Sequence, residues 1–349
     1  MSRFRKSFTQ PSRSDVHVNR PLTNISIAFV QSDESFIAAK VFPLVPVSKQ
    51  SDSYFTFDRG EFNRDEMAER APGTESAGGS YTISNDTYYA KVRAFHKDIP
   101  AQVRANSDNP LDMDREATLF VTHKALINRE VNWVTTYFTA GAPGAIWTFV
   151  ADGVSSGATA AASFDPTNAS NNDKLQWNDA NSNPIEDVRQ GKRYVLERTG
   201  MEPNTLTLGK VTYDTLLDHP DIVGRIDRGQ TSGAARANLV TLADLFEVDE
   251  VLVSKAIKNT AVKGQSASHS FIAGKHALLT YKPPTPGIMT PSAGYTFSWT
   301  GLLGSDANGI NISKWWMQNI KSDRVEVEAA YDQKKVSADL GYFFNGIVA

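Results

Sequence analysis

The chain has 349 residues, 40% hydrophobic and 21% charged, which is enough for about two domains of ordinary globular composition. It has no cysteine, which excludes disulfide frameworks, thiolate metal sites and cysteine nucleophiles. A formal net charge of −3 gives no overall drive toward nucleic acid or an anionic membrane.

Residues 1 to about 24 read as an arm. Arg3, Arg5, Lys6, Arg13 and Arg20 oppose only Asp15, and Pro11 and Pro21 break any helix. Such a segment buries too little apolar surface to fold alone, so it orders only against another surface. It has no apolar core of a secretory signal, and no stretch of the chain reaches the ~18 apolar residues of a membrane helix. Ser32 to Ser35 caps a short helix through Lys40, and Val41 to Val47, with two prolines, is extended.

Residues 48–99 read as a long two-stranded excursion. Ser53 to Phe57 goes out, and Tyr81 to Ile83 and Thr87 to Ile99 return. Arg59, Glu61, Arg64, Asp65, Glu66, Glu69 and Arg70 crowd the far end, and Lys91 and Arg93 alternate along the return strand. An isolated ribbon of this kind is marginal in water and needs a surface to lie on. Those nine residues are the candidate contacts with another molecule, and the five basic residues of the arm are a second set.

The clearest helix spans 108–138. Asp108-Asn109-Pro110 caps it, acids fill its first turn, and Phe120, Ile127, Val131, Val134 and Phe138 share one face, which Trp133 and Tyr137 widen. A loop-rich stretch with one short strand follows. Asn183-Pro184 then opens a helix from Ile185 to Arg198. After it come a strand, Thr205 to Gly209, and further short helices and strands to about residue 310. Val325 to Tyr331 and Val336 to Phe344 alternate at period two around Gln333-Lys334, which reads as a hairpin.

Catalytic patterns are sparse. The six histidines show no His-Glu-x-x-His spacing, and there is no phosphate loop or dinucleotide fingerprint. Gly153-Val154-Ser155-Ser156-Gly157 fits the G-x-S-x-G nucleophile elbow, which needs a strand before it and a helix after it. The Gly/Ser/Asn-rich run that follows is a poor helix. A serine hydrolase using Ser155 is the alternative of another class. No metal or cofactor is expected.

The run from Trp177 to Ile226, WNDANSNPIEDVRQGKRYVLERTGMEPNTLTLGKVTYDTLLDHPDIVGRI, resembles the start of the axial domain in HK97-like major capsid proteins of tailed phages. The order of arm, charged ribbon, long helix, α/β segment and closing strands is similar to the whole of that plan. The resemblance implies an α+β fold with an N-terminal arm and lead-in (1–47), an E-loop (48–99) and a peripheral domain with a spine helix (100–184). An axial domain (185–312) and a C-terminal hairpin completing the peripheral domain (313–349) follow. It implies a virion protein that self-assembles into pentamers and hexamers of an icosahedral head around double-stranded DNA, built in the host cytoplasm. The implied partners are scaffolding and portal proteins, a possible decoration protein, and packaged DNA by non-specific contact, with no membrane. An encapsulin-like compartment is the alternative within the same fold. The family's type member joins an E-loop lysine to a neighbour's asparagine. Here no lysine lies between Lys49 and Lys91, so that bond is not expected.

Overall fold

The structure is a computed structural model that describes residues 31–57, 59–107, 112–139, 146–155, 173–227, 237–287, 290–303 and 309–349. The arm's five basic residues, the Asp108-Asn109-Pro110 cap and Ser156-Gly157 lie outside them. Two sheets organise the described chain.

The five-stranded sheet is built on one long strand, Ser322–Lys335. Along one edge it pairs with Lys91–Pro100. Along the other it pairs first with Ile310–Met317 and then with Gly294–Trp299, which also carries Leu44–Val47 in parallel. Val325, Val327, Ala329 and Tyr331 are buried, while Glu326 and Glu328 between them are partly exposed. Period two thus gives the sheet one covered face and one open face.

The long helix, Met113–Tyr137, lies on the covered face. At ~1.5 Å per residue its 25 residues make a rod of about 38 Å. It starts later than the sequence suggested. Asp112 is the N-cap, and its Oδ1 accepts from the Asp114 and Arg115 amides at 3.2 Å each. The buried stripe keeps Trp133, Val134, Tyr137 and Phe138 of the expected face, with Ile127 and Val131 packed beside it, but continues through Ala117, Val121 and Ala125, while Phe120 stays 44% exposed. The small alanines let the rod approach the sheet, so size at the contact outweighed hydrophobicity.

The six-stranded sheet runs in the order Lys174–Leu175, Phe149–Val154, Gly341–Asn345, Ala277–Thr280, Thr205–Gly209 and Glu250–Ser254. Every residue of Ala277–Thr280 and Thr205–Gly209 is buried, as expected of strands covered on both faces. Helix Pro184–Thr199 packs closely through Gly191, where a Cβ would stand 3.1 Å from Leu279 and 3.2 Å from Tyr342. Its ends obey the sequence. The Asn183 side chain accepts from the Glu186 amide, Pro184 opens the first turn, and Gly200 closes it at φ 71°.

The predicted C-terminal hairpin is not formed. Ser322–Lys335 runs straight through Gln333-Lys334, because Gly294–Trp299 continues the ladder to Lys335. The chain then crosses to the other sheet, where Gly341–Asn345 lies between Phe149–Val154 and Ala277–Thr280. Two strands with the same period carry no label saying that they belong to different sheets.

Glu130 ties the two halves together. It is 0% exposed on the long helix. Its Oε2 accepts from the Ile37 and Ala38 amides at 3.0 and 2.9 Å, at the start of the short helix Ala38–Val41. Its Oε1 meets the Ser254 hydroxyl at 2.9 Å, at the end of a six-stranded-sheet strand. Burial pushes this carboxyl above its ordinary range.

Candidate assembly surfaces

The excursion is a ribbon with an anchored base and an open end. Ser51–Phe57 pairs antiparallel with Ile83–Tyr89. The expected return strand is divided at buried Ala90, and Lys91–Pro100 belongs to the five-stranded sheet instead. Lys91 and Arg93 are therefore sheet residues and not part of the excursion. Lys91 is exposed, and the Arg93 guanidinium lies 4.6 Å from the centre of the Tyr331 ring.

Aromatic rings fix the base. Tyr88 stacks on Phe297 with centroids 4.6 Å apart and an interplanar angle of 17°, and Tyr54 lies 5.5 Å from the same ring. The Tyr54 hydroxyl donates to Asp86 Oδ2 at 2.6 Å, holding the Asp86 carboxyl below its usual range. The Tyr89 amide donates to Asp332 Oδ2 at 3.0 Å. Phe297 is opposite Asp332 in the ladder. Tyr331, the next residue, reaches Asn132 on the long helix through its hydroxyl at 3.2 Å. Alternation then places Phe297, and the ribbon base on it, on the face away from the helix.

The far end has no comparable support. Helix Arg59–Phe62 turns the chain, and Phe62 and Tyr81 lean on Phe57 at 6.1 and 6.0 Å while staying about half exposed. Met67 is 96% exposed. Glu61 accepts from Thr82, Arg64 pairs with Glu66 at 3.2 Å, and Arg70 donates to the Thr74 carbonyl. Asp65 and Glu69 are exposed. The exposed rings were not among the sequence-predicted contacts. Their signal was present as three aromatic residues flanking the charged run.

The arm's root is held as well. The Gln31 amide spans the backbone of Ile257, donating to its carbonyl at 2.8 Å and accepting from its N–H at 2.7 Å. Ile257–Asn259 forms a small separate ribbon with His269–Phe271. Ion pairs lock the helix start to the sheet. Arg104 meets Asp114 at 2.6 Å and Asp323 at 2.8 Å, and Lys314 meets Asp114 at 2.8 Å. Arg324 grips Asp98 with two bonds of 2.7 and 3.0 Å. Both aspartates are held below the usual carboxylate range, Asp114 by Lys314 first and Asp98 by Arg324.

The residues weighed for chemistry are placed otherwise. Gly153 lies within the strand Phe149–Val154, close against the Gly346 carbonyl, and Ser155 is exposed just beyond the strand. Buried His219 accepts from the Asp221 amide on Nδ1 at 3.2 Å, so its proton sits on Nε2 near Ser182, 3.0 Å away. Half-buried His276 accepts from the Gly346 amide on Nδ1 at 2.9 Å, and desolvation lowers its pKa. Both act as structural acceptors. Among the described residues no three His, Asp or Glu side chains gather to hold a metal. Among them, no helix is long and apolar enough to cross a membrane.

Comparison with known proteins agrees with this architecture. A family model described as phage major capsid protein E matches residues 142–293. The major capsid protein of Pseudomonas phage JBD67 is 24% identical over 346 residues, covering 97% of this chain and 99% of its own. The crystal structure of a phage-related protein from Bordetella bronchiseptica RB50 superposes with a TM-score of 0.64 at 21% identity, over 91% of this chain and 93% of that one. The capsid of cyanophage P-SCSP1u gives 0.58 at 11% identity, over 97% and 99%. Structural likeness at these identities fixes the fold, and the whole-length relative and the family model add the role. The chain has the HK97-like fold, and its whole-length likeness is to phage major capsid proteins.

Proposed function

We propose that copies of this chain meet as pentamers and hexamers, with the ribbon of each clamping a neighbour, in a head that encloses double-stranded DNA. The observation that carries the clamp is the contrast within the ribbon. Its base is fastened by the Tyr88–Phe297 stack, while Phe62, Tyr81 and Met67 stay exposed at the far end beside the charged run. Exposed apolar surface rimmed by charge marks a protein contact. Glu61, Arg64, Asp65, Glu66, Glu69 and Arg70 form that rim, and each ion pair there contributes little alone. Repetition over many copies makes the sum large.

The arm, with Arg3, Arg5, Lys6, Arg13 and Arg20, would order along a neighbouring copy. Assembly in the host cytoplasm with separate scaffolding, portal and decoration proteins belongs to the same proposal. So do the divisions 1–47, 48–99, 100–184, 185–312 and 313–349, amended so that 341–345 joins the six-stranded sheet. The chain works through contact and not through Ser155.

Negative-stain microscopy of the purified chain tests the reading. Wild type should give shells or capsomer rings. Arg64→Glu with Arg70→Glu should leave the subunit's unfolding midpoint within ~0.5 kcal/mol and remove or weaken the shells. Shells that form normally and survive the same salt and heat would end the clamp assignment. Ser155→Ala should change neither assembly nor stability. Labelling of Ser155 by a fluorophosphonate would restore the hydrolase reading.

A further inference from the structure

The two faces of the five-stranded sheet differ in their balance of charge. Lys91, Arg93, Phe95 and Lys97 pair with Tyr331, Ala329, Val327 and Val325, so they share the helix side. Glu326, Glu328 and Asp332 are on the other side, where the ribbon base lies. On the helix side the Phe120 ring lies 5.9 Å from Phe95 and carries two ammonium groups, Lys97 at 5.6 Å and Lys124 at 5.4 Å.

Elsewhere on or beside this sheet Arg104, Lys314 and Arg324 each hold a carboxylate. Among the described residues Lys91, Arg93, Lys97 and Lys124 have no carboxylate partner within ion-pair distance. Glu116, one turn before Phe120, is the nearest acid along the helix and pairs with none of them. Two ammonium groups over one ring repel each other unless an anion stands between them. Among the described residues the strand that supplies three of the four cations pairs only with Ser322–Lys335, so its outer edge carries no described strand. From residue 91 to 97, at ~3.3 Å per residue, the row extends about 20 Å.

We infer that this row of Lys91, Arg93, Lys97 and Lys124 with Phe95 and Phe120 is a contact for the phosphate backbone of double-stranded DNA. The inference rests on the capsid reading, which supplies the DNA. A row of cations uninterrupted by acids fits a row of uniform negative charge. A neighbour's ribbon fits it less well, because Arg59, Arg64 and Arg70 are interspersed among that ribbon's acids. The acidic opposite face would turn away from DNA.

Binding of full-length unassembled subunits to a 30-base-pair duplex, followed by fluorescence anisotropy against sodium chloride, tests it. Each phosphate contact contributes about 0.9 to the slope of log K against log salt. Replacing Lys91, Lys97 and Lys124 by alanine should lower the slope by about 2.7. The matching triple replacement by arginine should restore it. An unchanged slope in the alanine variant, or no recovery with arginine, overturns the inference. Loss of shells with an unchanged DNA slope also overturns it and assigns the patch to a neighbouring copy. Failure of wild type to form shells or rings would strike the capsid reading instead, while the slope stays measurable.

Discussion

The buried interior and the margin of the five-stranded sheet with its ribbon hold their carboxyl groups in opposite ways. Glu130 and Asp187 are buried, and burial pushes both above the usual carboxylate range. Glu130 answers three donors, and Asp187 accepts from the Trp177 indole at 3.0 Å. Asp86, Asp98 and Asp114 stand nearer the surface and are held down by a tyrosine, an arginine and a lysine. The body therefore depends on a few anchors that are costly to lose, whereas the rim depends on several that are cheap to rearrange. A shell tile needs both. Its body must keep one shape, and its margin must meet neighbours at more than one angle.

The sharpest way to break this contrast is at Glu130. Leucine there would leave two backbone N–H groups and the Ser254 hydroxyl without an acceptor. The expected loss is ~3–5 kcal/mol in subunit unfolding by urea. Glutamine keeps an oxygen and should cost much less. Equal midpoints for wild type and the leucine variant would show that the two halves do not depend on this side chain.

A smaller effect is expected at the ribbon base. Tyr88→Ala removes the stacked ring under Phe297 and should cost ~2 kcal/mol locally. Amide protection in 51–57 and 83–89 should fall, while that in 205–209 and 277–280 stays. A uniform fall across both sheets would mean that the ribbon is part of the core and not fastened to it.

The smallest effect separates the two regions by pH. The raised groups, Glu130 and Asp187, support folding fully below the ordinary carboxylate range, and that contribution is lost as pH rises through their folded values. The lowered groups, Asp86, Asp98 and Asp114, support it above 3.8, and that contribution is lost as pH falls through their folded values. Acidification below 3.8 should therefore reduce protection in 91–100 and 322–335 before 205–209. The reverse order would contradict the assignment of causes.

Local chemistry made much of this legible. Asn183-Pro184 and Gly200 bounded their helix because capping is decided within a few residues. Val325 to Tyr331 announced a half-buried strand because alternation is local too. What failed needed distant partners. The first half of the helix face was misjudged because Ala117 and Ala125 matter only once a sheet lies on them. Tyr88 was not read as an anchor because Phe297 is far along the chain. Gln333-Lys334 was read as a turn because nothing nearby reveals that Gly294–Trp299 extends the ladder. The charge of the ribbon's far end was legible because those residues are nearly contiguous in the chain.

The placing of Gly341–Asn345 inside the six-stranded sheet also sets a schedule. Phe149–Val154 has Tyr342 to Asn345 as its inner neighbours, so that edge waits until the ribosome has passed residue 345. At ~5–20 residues per second the delay from residue 154 is about 10–40 s. During it the emerging polypeptide has a half-built sheet and no finished tile to offer. Copies emerging side by side on one messenger would thus be kept from joining prematurely, and unfinished copies would be excluded from a growing lattice.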